Sequence, residues 1–179
     1  MRKVVHKWFW AWDFEKEEKW LGEMAAQGLC LVGVGWCKFE FEECLPGEYA
    51  VRLELLDKPT CHPESENYIR FIEETGAEQV GSYIRWVYFR KKTELGPFDL
   101  FSDLASRISH LKRILFLLLP IGILNLAIGA QNLGFLFWRH NTGNAIGLVN
   151  LFLGALCCFG GWKLNQKKKK LQKEQQIFE

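Results

Sequence analysis

The apolar positions of this chain follow two different rhythms. Up to about residue 95 they alternate or recur every three to four residues, whereas from 111 to 164 they run almost without a break. Val4 to Trp12, rich in Val, Trp and Phe, predicts a strand. Asp13 is placed to cap a helix whose buried stripe is Phe14, Trp20, Leu21, Met24 and Ala25, with Gly28 as its stop. Leu29 to Glu43 reads as β-rich, and its alternation changes phase near Gly33 and Gly35. A bulge at the glycines explains that switch, and a tight hairpin giving one extra strand is the alternative. Pro46-Gly47 suits a type II turn before a returning strand with Tyr49, Val51, Leu53 and Leu55 on one face. A second helix opens at Pro63, buries Tyr68, Ile69 and Ile72, and ends at Gly76. Val80 to Arg90 predicts the last strand. The order β-α-β-β-α-β points to an α+β domain over residues 1–95, a ferredoxin-like antiparallel sheet with helices on one face. A five-stranded variant reads almost as well.

Gly96-Pro97 interrupts this pattern. Leu100, Leu104, Ile108 and Leu111 then line one side of an amphipathic juxtamembrane helix over residues 96–113, expected to run without a linker into the first uncharged run. Residues 114–164 predict a two-helix transmembrane hairpin. Ile114 to Ala130 and Ala145 to Trp162 contain no charge. With its flanks, each approaches the roughly 20 apolar residues that cross about 30 Å of hydrocarbon. The rest of the chain is too polar to wrap two helices that are apolar all round. Residues 165–179 form a polybasic tail.

Charge sets the expected orientation. The formal net charge of +2 conceals an acidic front and a basic rear. Nine Lys and Arg flank the two runs, from Arg107 to Lys173, while the connecting loop holds only Arg139. That asymmetry predicts a multi-pass protein of the bacterial cytoplasmic membrane with both termini cytoplasmic. Lys112, Arg113, Trp138, Trp162 and Lys163 are the expected interface anchors. Asn125 and Asn150 are polar at depth and could bond across helices, while Gly122, Gly129, Gly147 and Gly154 permit close approach. A cytoplasmic head implies reduced cysteines, and Cys30, Cys37 and Cys44 match no zinc spacing.

No catalytic constellation emerges: the four histidines are scattered, and neither a phosphate-cradling glycine loop nor HExxH occurs. The expectation is a non-enzyme with no cofactor and no metal. The acidic front argues against nucleic acid. Less ordinary are Trp8, Trp10 and Trp12 on one face of the first strand, and Trp86 and Tyr88 on the last. Both strands look apolar on two faces, which a sheet covered on one side does not require. These five residues are the candidate surface for a ligand or partner. A second protomer, the bilayer, the juxtamembrane helix or a hydrophobic small molecule would each cover it.

The segments KWFWAWDFEKEEKWLGEMAAQG (7–28), PGEYAVRLELL (46–56), HPESENYIRFIEETGAEQVGSYIRWVYFRKK (62–92) and LFSDLASRISHLKRI (100–114) resemble a bacterial membrane-protein family catalogued as domain of unknown function 2812. The resemblance implies a membrane-associated protein with a cytoplasmic head. Members are often encoded beside PadR-like transcription regulators, which implies a regulatory or sensory role, and no active-site residues transfer. The sequence therefore predicts a membrane-anchored, non-enzymatic regulator or sensor whose head binds a protein partner or itself. The alternatives are a sensor of a hydrophobic or cationic small molecule, held on the aromatic face by stacking and cation–π contact, and an accessory subunit of a transporter.

Overall fold

A computed structural model describes residues 2–101, 103–139 and 145–178. The chain divides into two compact units, residues 1–102 and 103–179. The first holds β1 (Lys3–His6), α1 (Phe14–Ala26), β2 (Leu29–Gly35), β3 (Lys38–Glu43), β4 (Tyr49–Leu55), α2 (Pro63–Glu74), β5 (Ala77–Tyr83) and β6 (Trp86–Lys92). The second holds α3 (Leu104–Arg139) and α4 (Ala145–Phe178). The α+β class followed by a helical hairpin is as the sequence predicted.

Within that class the strands are arranged differently from a single four-stranded sheet. Among the described residues six strands form two antiparallel sheets, ordered β1-β3-β2 and β4-β6-β5. The first unit is therefore one wiring, β-α-β-β, used twice. Both halves carry a register shift at the same place, between Leu31 and Gly33 in one and between Gln79 and Gly81 in the other. Each also closes its hairpin with a two-residue connection, Trp36-Cys37 and Ile84-Arg85. The phase change of the Leu29–Glu43 stretch thus has both of its proposed causes, a bulge and a turn. The expected last strand conceals a second hairpin.

Local chemistry accounts for the helix ends. Gly28 ends α1 at φ +79, and a Cβ there would lie 2.9 Å from the Cys44 carbonyl oxygen. His62 caps α2, its Nδ1 accepting from the Glu64 N–H at 3.2 Å, and Pro63 takes the first turn, where a missing N–H costs nothing. Asp13 does stand before α1, but its carboxylate reaches Lys16 at 3.1 Å instead of capping an N–H.

The two halves meet where β2 and β5 run side by side. A Cβ on Gly81 would sit 3.0 Å from the Val34 nitrogen, and Arg90 Nη1 donates to the Leu31 carbonyl at 3.1 Å. On β6, Val87 and Phe89 join Ile69 and Ile72 of α2 in one buried cluster. Their neighbour Tyr88 points the other way, donating to Glu17 of α1 at 2.6 Å. Successive strand residues face opposite sides, so this sheet lies between α1 and α2. Helices on one face only was the wrong expectation, and two covering helices explain why β6 is apolar on both faces. The first sheet has one apolar face, where Trp20 of α1 packs on Phe39 and Phe41 at 5.0 and 5.8 Å. Its other face carries the pairs Arg2–Glu42 and Lys38–Glu40.

In the second unit, small residues let the helices close. A Cβ on Gly129 would meet Leu151 at 2.7 Å, one on Gly154 would meet Leu126 at 2.7 Å, and one on Gly147 would meet Asn132 at 2.9 Å. Both helices are long and apolar enough to cross a membrane, and only 28% of the most apolar stretch of α3 and 22% of that of α4 is buried. The outward surface includes Phe116, Ile123, Leu124, Leu148 and Phe152, all exposed. α3 starts at Leu104, and the basic segment after Trp162 continues α4 as helix.

Candidate functional site

The five aromatic residues singled out from the sequence do not form one surface. β1 ends at His6, so Trp8 and Trp10 lie beyond the strand and Trp12 falls in a short 3-10 turn, Ala11–Asp13. Trp12 is buried and stacks on Trp10 with ring centroids 4.9 Å apart. Tyr88 is buried beside Glu17, and Trp86 is half-buried with Phe14 at 6.2 Å. Only Trp8 (50% exposed) and Trp10 (37%) present themselves to the outside.

Two residues missing from the sequence-based set complete the outer surface. Trp36, 63% exposed, sits on the first hairpin turn with its ring 5.7 Å from Trp8 and 5.3 Å from Tyr83. Ile84, 70% exposed, occupies the equivalent turn of the second half. The rings form a continuous row, Tyr83–Trp36–Trp8–Trp10–Trp12, each in edge or stacked contact with the next. Trp36 falls where the alternation changes phase, which was the available signal. Ile84 alternates with Trp86 and Tyr88 on one apolar face of the expected last strand, but no Gly or Asn marks the turn it occupies.

Ile84 adopts φ +58. A left-handed backbone costs an L-residue roughly 1–2 kcal/mol, and a β-branched residue there is an outlier. Its side chain is exposed, and the left-handed backbone is what a two-residue hairpin turn requires, as Cys37 (φ +50) also shows on the first turn.

The head also draws acids inside. Glu17 is buried, its carboxyl pushed up to about 7 by burial; the hydrogen bond from Tyr88 opposes this and Glu18 adds to it. Burial and then Glu17 raise the Tyr88 phenol. Burial also raises Glu18, although its carboxylate accepts from the Leu53 N–H at 3.0 Å. Glu54, 2% exposed, accepts from the Tyr68 hydroxyl at 2.6 Å on the α2 side. By contrast, hydrogen bonds from Lys38 and Arg2 lower the half-buried Glu40 and Glu42.

The cysteines require a correction. Cys30 on β2 and Cys44 just beyond β3 form a disulfide, with Cα atoms 5.9 Å apart. They were expected to be reduced. They come together because antiparallel pairing places Gly28 opposite Cys44, with a backbone bond of 2.9 Å, and Cys30 diagonally across. Ligand atoms of Cys30, Cys44 and Glu48 lie within 4.8 Å of one another, so a reduced pair would offer a cation three donors.

In the hairpin, Lys112 and Lys163 are exposed, Arg113 is half-buried, and Trp162 is 57% exposed. The side chain of Trp138 lies outside the described residues. Asn125 donates to the Ile121 carbonyl of its own helix at 2.8 Å, in place of a bond across to Asn150, which is half-buried on α4.

Residues 13–123 match the family described as "Protein of unknown function (DUF2812)". The chain belongs to this family. The DUF2812 match runs from the acidic start of α1 through both hairpin turns into α3, and it leaves out Trp8, Trp10 and all of α4. No curated protein and no solved structure matches the chain.

Proposed function

We propose that this protein is a membrane-anchored, non-enzymatic regulator or sensor whose head docks a protein partner through Trp8, Trp10, Trp36 and Ile84. The observation that carries the reading is the exposed ring row Trp10–Trp8–Trp36, with the exposed Ile84 following Tyr83, the ring at the end of that row, on the second hairpin turn. Tryptophan supplies large contact area at small entropic cost and is enriched where binding energy concentrates. The hairpin supplies the anchor, since its outward apolar surface suits lipid and not water. Its nine flanking basic residues favour a cytoplasmic head.

The test is a photo-crosslinking residue in place of Trp36, used on the full chain in its native membrane. A discrete crosslinked protein that disappears in Ile84→Asp supports docking. Crosslinks spread over lipid alone refute it. Orientation is checked separately with alkaline phosphatase fused after Trp138 or after Glu179, the first expected active and the second silent.

A second reading rests on Glu17. A buried carboxyl whose charged neighbour is another acid, Glu18, is poised to receive a desolvated organic cation among aromatic rings. Tryptophan fluorescence of the full chain, titrated with tetraphenylphosphonium, should then change saturably and lose the response in Glu17→Gln. No change would leave the protein-docking reading alone.

A further inference from the structure

The hairpin carries a groove of about 550 Å³ along one flank. Lys112, Phe116 and Pro120 line it from α3, and Gly161, Trp162 and Lys168 from α4. Residues three to four apart share a helix face, so each helix presents one strip. Gly161 lies against Leu119 and Gly122 against Cys157, which makes the helices antiparallel and brings Lys112 and Lys168 to the same end. From Lys112 to Pro120 the strip descends about 12 Å at 1.5 Å per residue. That is most of one leaflet's share of a hydrocarbon core roughly 30 Å thick.

Two properties identify the occupant. The wall is apolar and open, with Phe116 80% and Trp162 57% exposed, as an acyl chain requires. The mouth is cationic: no Asp or Glu occurs between Leu104 and Lys173, and the first carboxylates beyond that stretch, Asp103 and Glu174, stand nine residues before Lys112 and six after Lys168. An apolar slot with two ammonium groups at its rim complements a lipid that carries net negative charge. We infer that the groove holds one anionic phospholipid. Its phosphate sits between Lys112 and Lys168, within reach of the Asn165 amide at the rim, and an acyl chain lies along Phe116, Pro120 and Trp162. A zwitterionic lipid would bring its own ammonium against the two lysines.

The inference rests on the membrane-spanning reading of the hairpin. It is tested by placing the full chain in nanodiscs of equal phosphatidylglycerol and phosphatidylcholine, then releasing it and weighing it by native mass spectrometry. The unaltered protein is expected to retain one phosphatidylglycerol in preference to phosphatidylcholine. Replacing both lysines (K112Q with K168Q) should weaken retention about 30-fold, at about 1 kcal/mol per lysine and 1.4 kcal/mol per tenfold. The pair K169Q with K170Q removes the same charge beside the groove and should change little. Equal retention of the two lipids by the unaltered protein overturns the proposal without recourse to variants. So does an equal loss in both variant pairs, which would mean diffuse attraction to a basic surface, or retention of a peptide in place of lipid. A chain that stays in buffer and enters no nanodisc refutes the membrane reading itself.

Discussion

The two halves of the head share one wiring and bury it differently. In the first, β3 turns Phe39 and Phe41 towards α1 and shows Lys38, Glu40 and Glu42 to solvent. In the second, β6 is covered on both faces, by α2 over Val87 and Phe89 and by α1 over Tyr88. α1 serves two sheets, for Glu17 and Glu18 reach into the second half while Trp20 stays with the first. α2 packs beside β5, its own half's strand. A repeated topology thus sets where strands lie without setting what covers them, and an unshared helix leaves one sheet face wet.

The largest effect separating the halves should come from matching positions on β3 and β6. Tyr88→Ala removes a buried ring and its bond to Glu17 and is expected to cost about 3–5 kcal/mol, whereas Glu40→Ala, in a surface ion pair, should cost under about 1 kcal/mol. Urea unfolding of both variants checks this, and equal losses would abolish the distinction between covered and solvated faces.

Next is the disulfide, which only the first half has. Closing the stretch between Cys30 and Cys44, 14 positions apart, stabilises by about 3 kcal/mol in the chain-entropy account, so a reductant should lower the melting temperature measurably. Thiol trapping in intact cells bears on orientation too: a cytoplasmic head should yield the dithiol, and an oxidised pair in cells would count against that side.

Of similar size is a pH dependence seated at the contact between halves. Glu17 holds its proton up to about 7 in the folded protein but only to its ordinary 4.5 when unfolded. Between those values the folded state binds more protons, so stability falls as pH rises, by about 3 kcal/mol in all, and levels off above 7. Glu17→Gln keeps an acceptor for Tyr88 and should remove most of that slope in denaturation curves taken from pH 5 to 8.

The smallest contrast lies at the paired bulges. A methyl on Gly33 meets Glu40 side-chain atoms at an ordinary 3.5 Å, but on Gly81 it meets the Val34 backbone nitrogen at 3.0 Å. Gly81→Ala should therefore cost about 1–3 kcal/mol and Gly33→Ala almost nothing. Similar values for both would mean that β2 and β5 do not approach as closely as described.

The sequence alone determined whatever depends on near neighbours. Uncharged runs of helical length identify the hairpin because solvation is additive along a segment. The glycines at 28 and 76 mark helix ends, and the Tyr68–Ile72 stripe marks the buried side of α2, because helical periodicity is local. Trp8 and Trp10 were legible as unusual for the same reason. Only the tertiary structure decided that the described residues hold six strands, since the turns at Trp36-Cys37 and Ile84-Arg85 lack the residues that announce left-handed backbone. It also decided which aromatic residues face outward: Trp12 and Tyr88 went inside and Trp36 and Ile84 came out, because a strand's pattern records that a face is apolar and not what lies against it. Strand pairing across the hairpin likewise joined Cys30 to Cys44. Coverage and pairing are set by contacts between residues far apart in the chain, and no single window of sequence contains both partners.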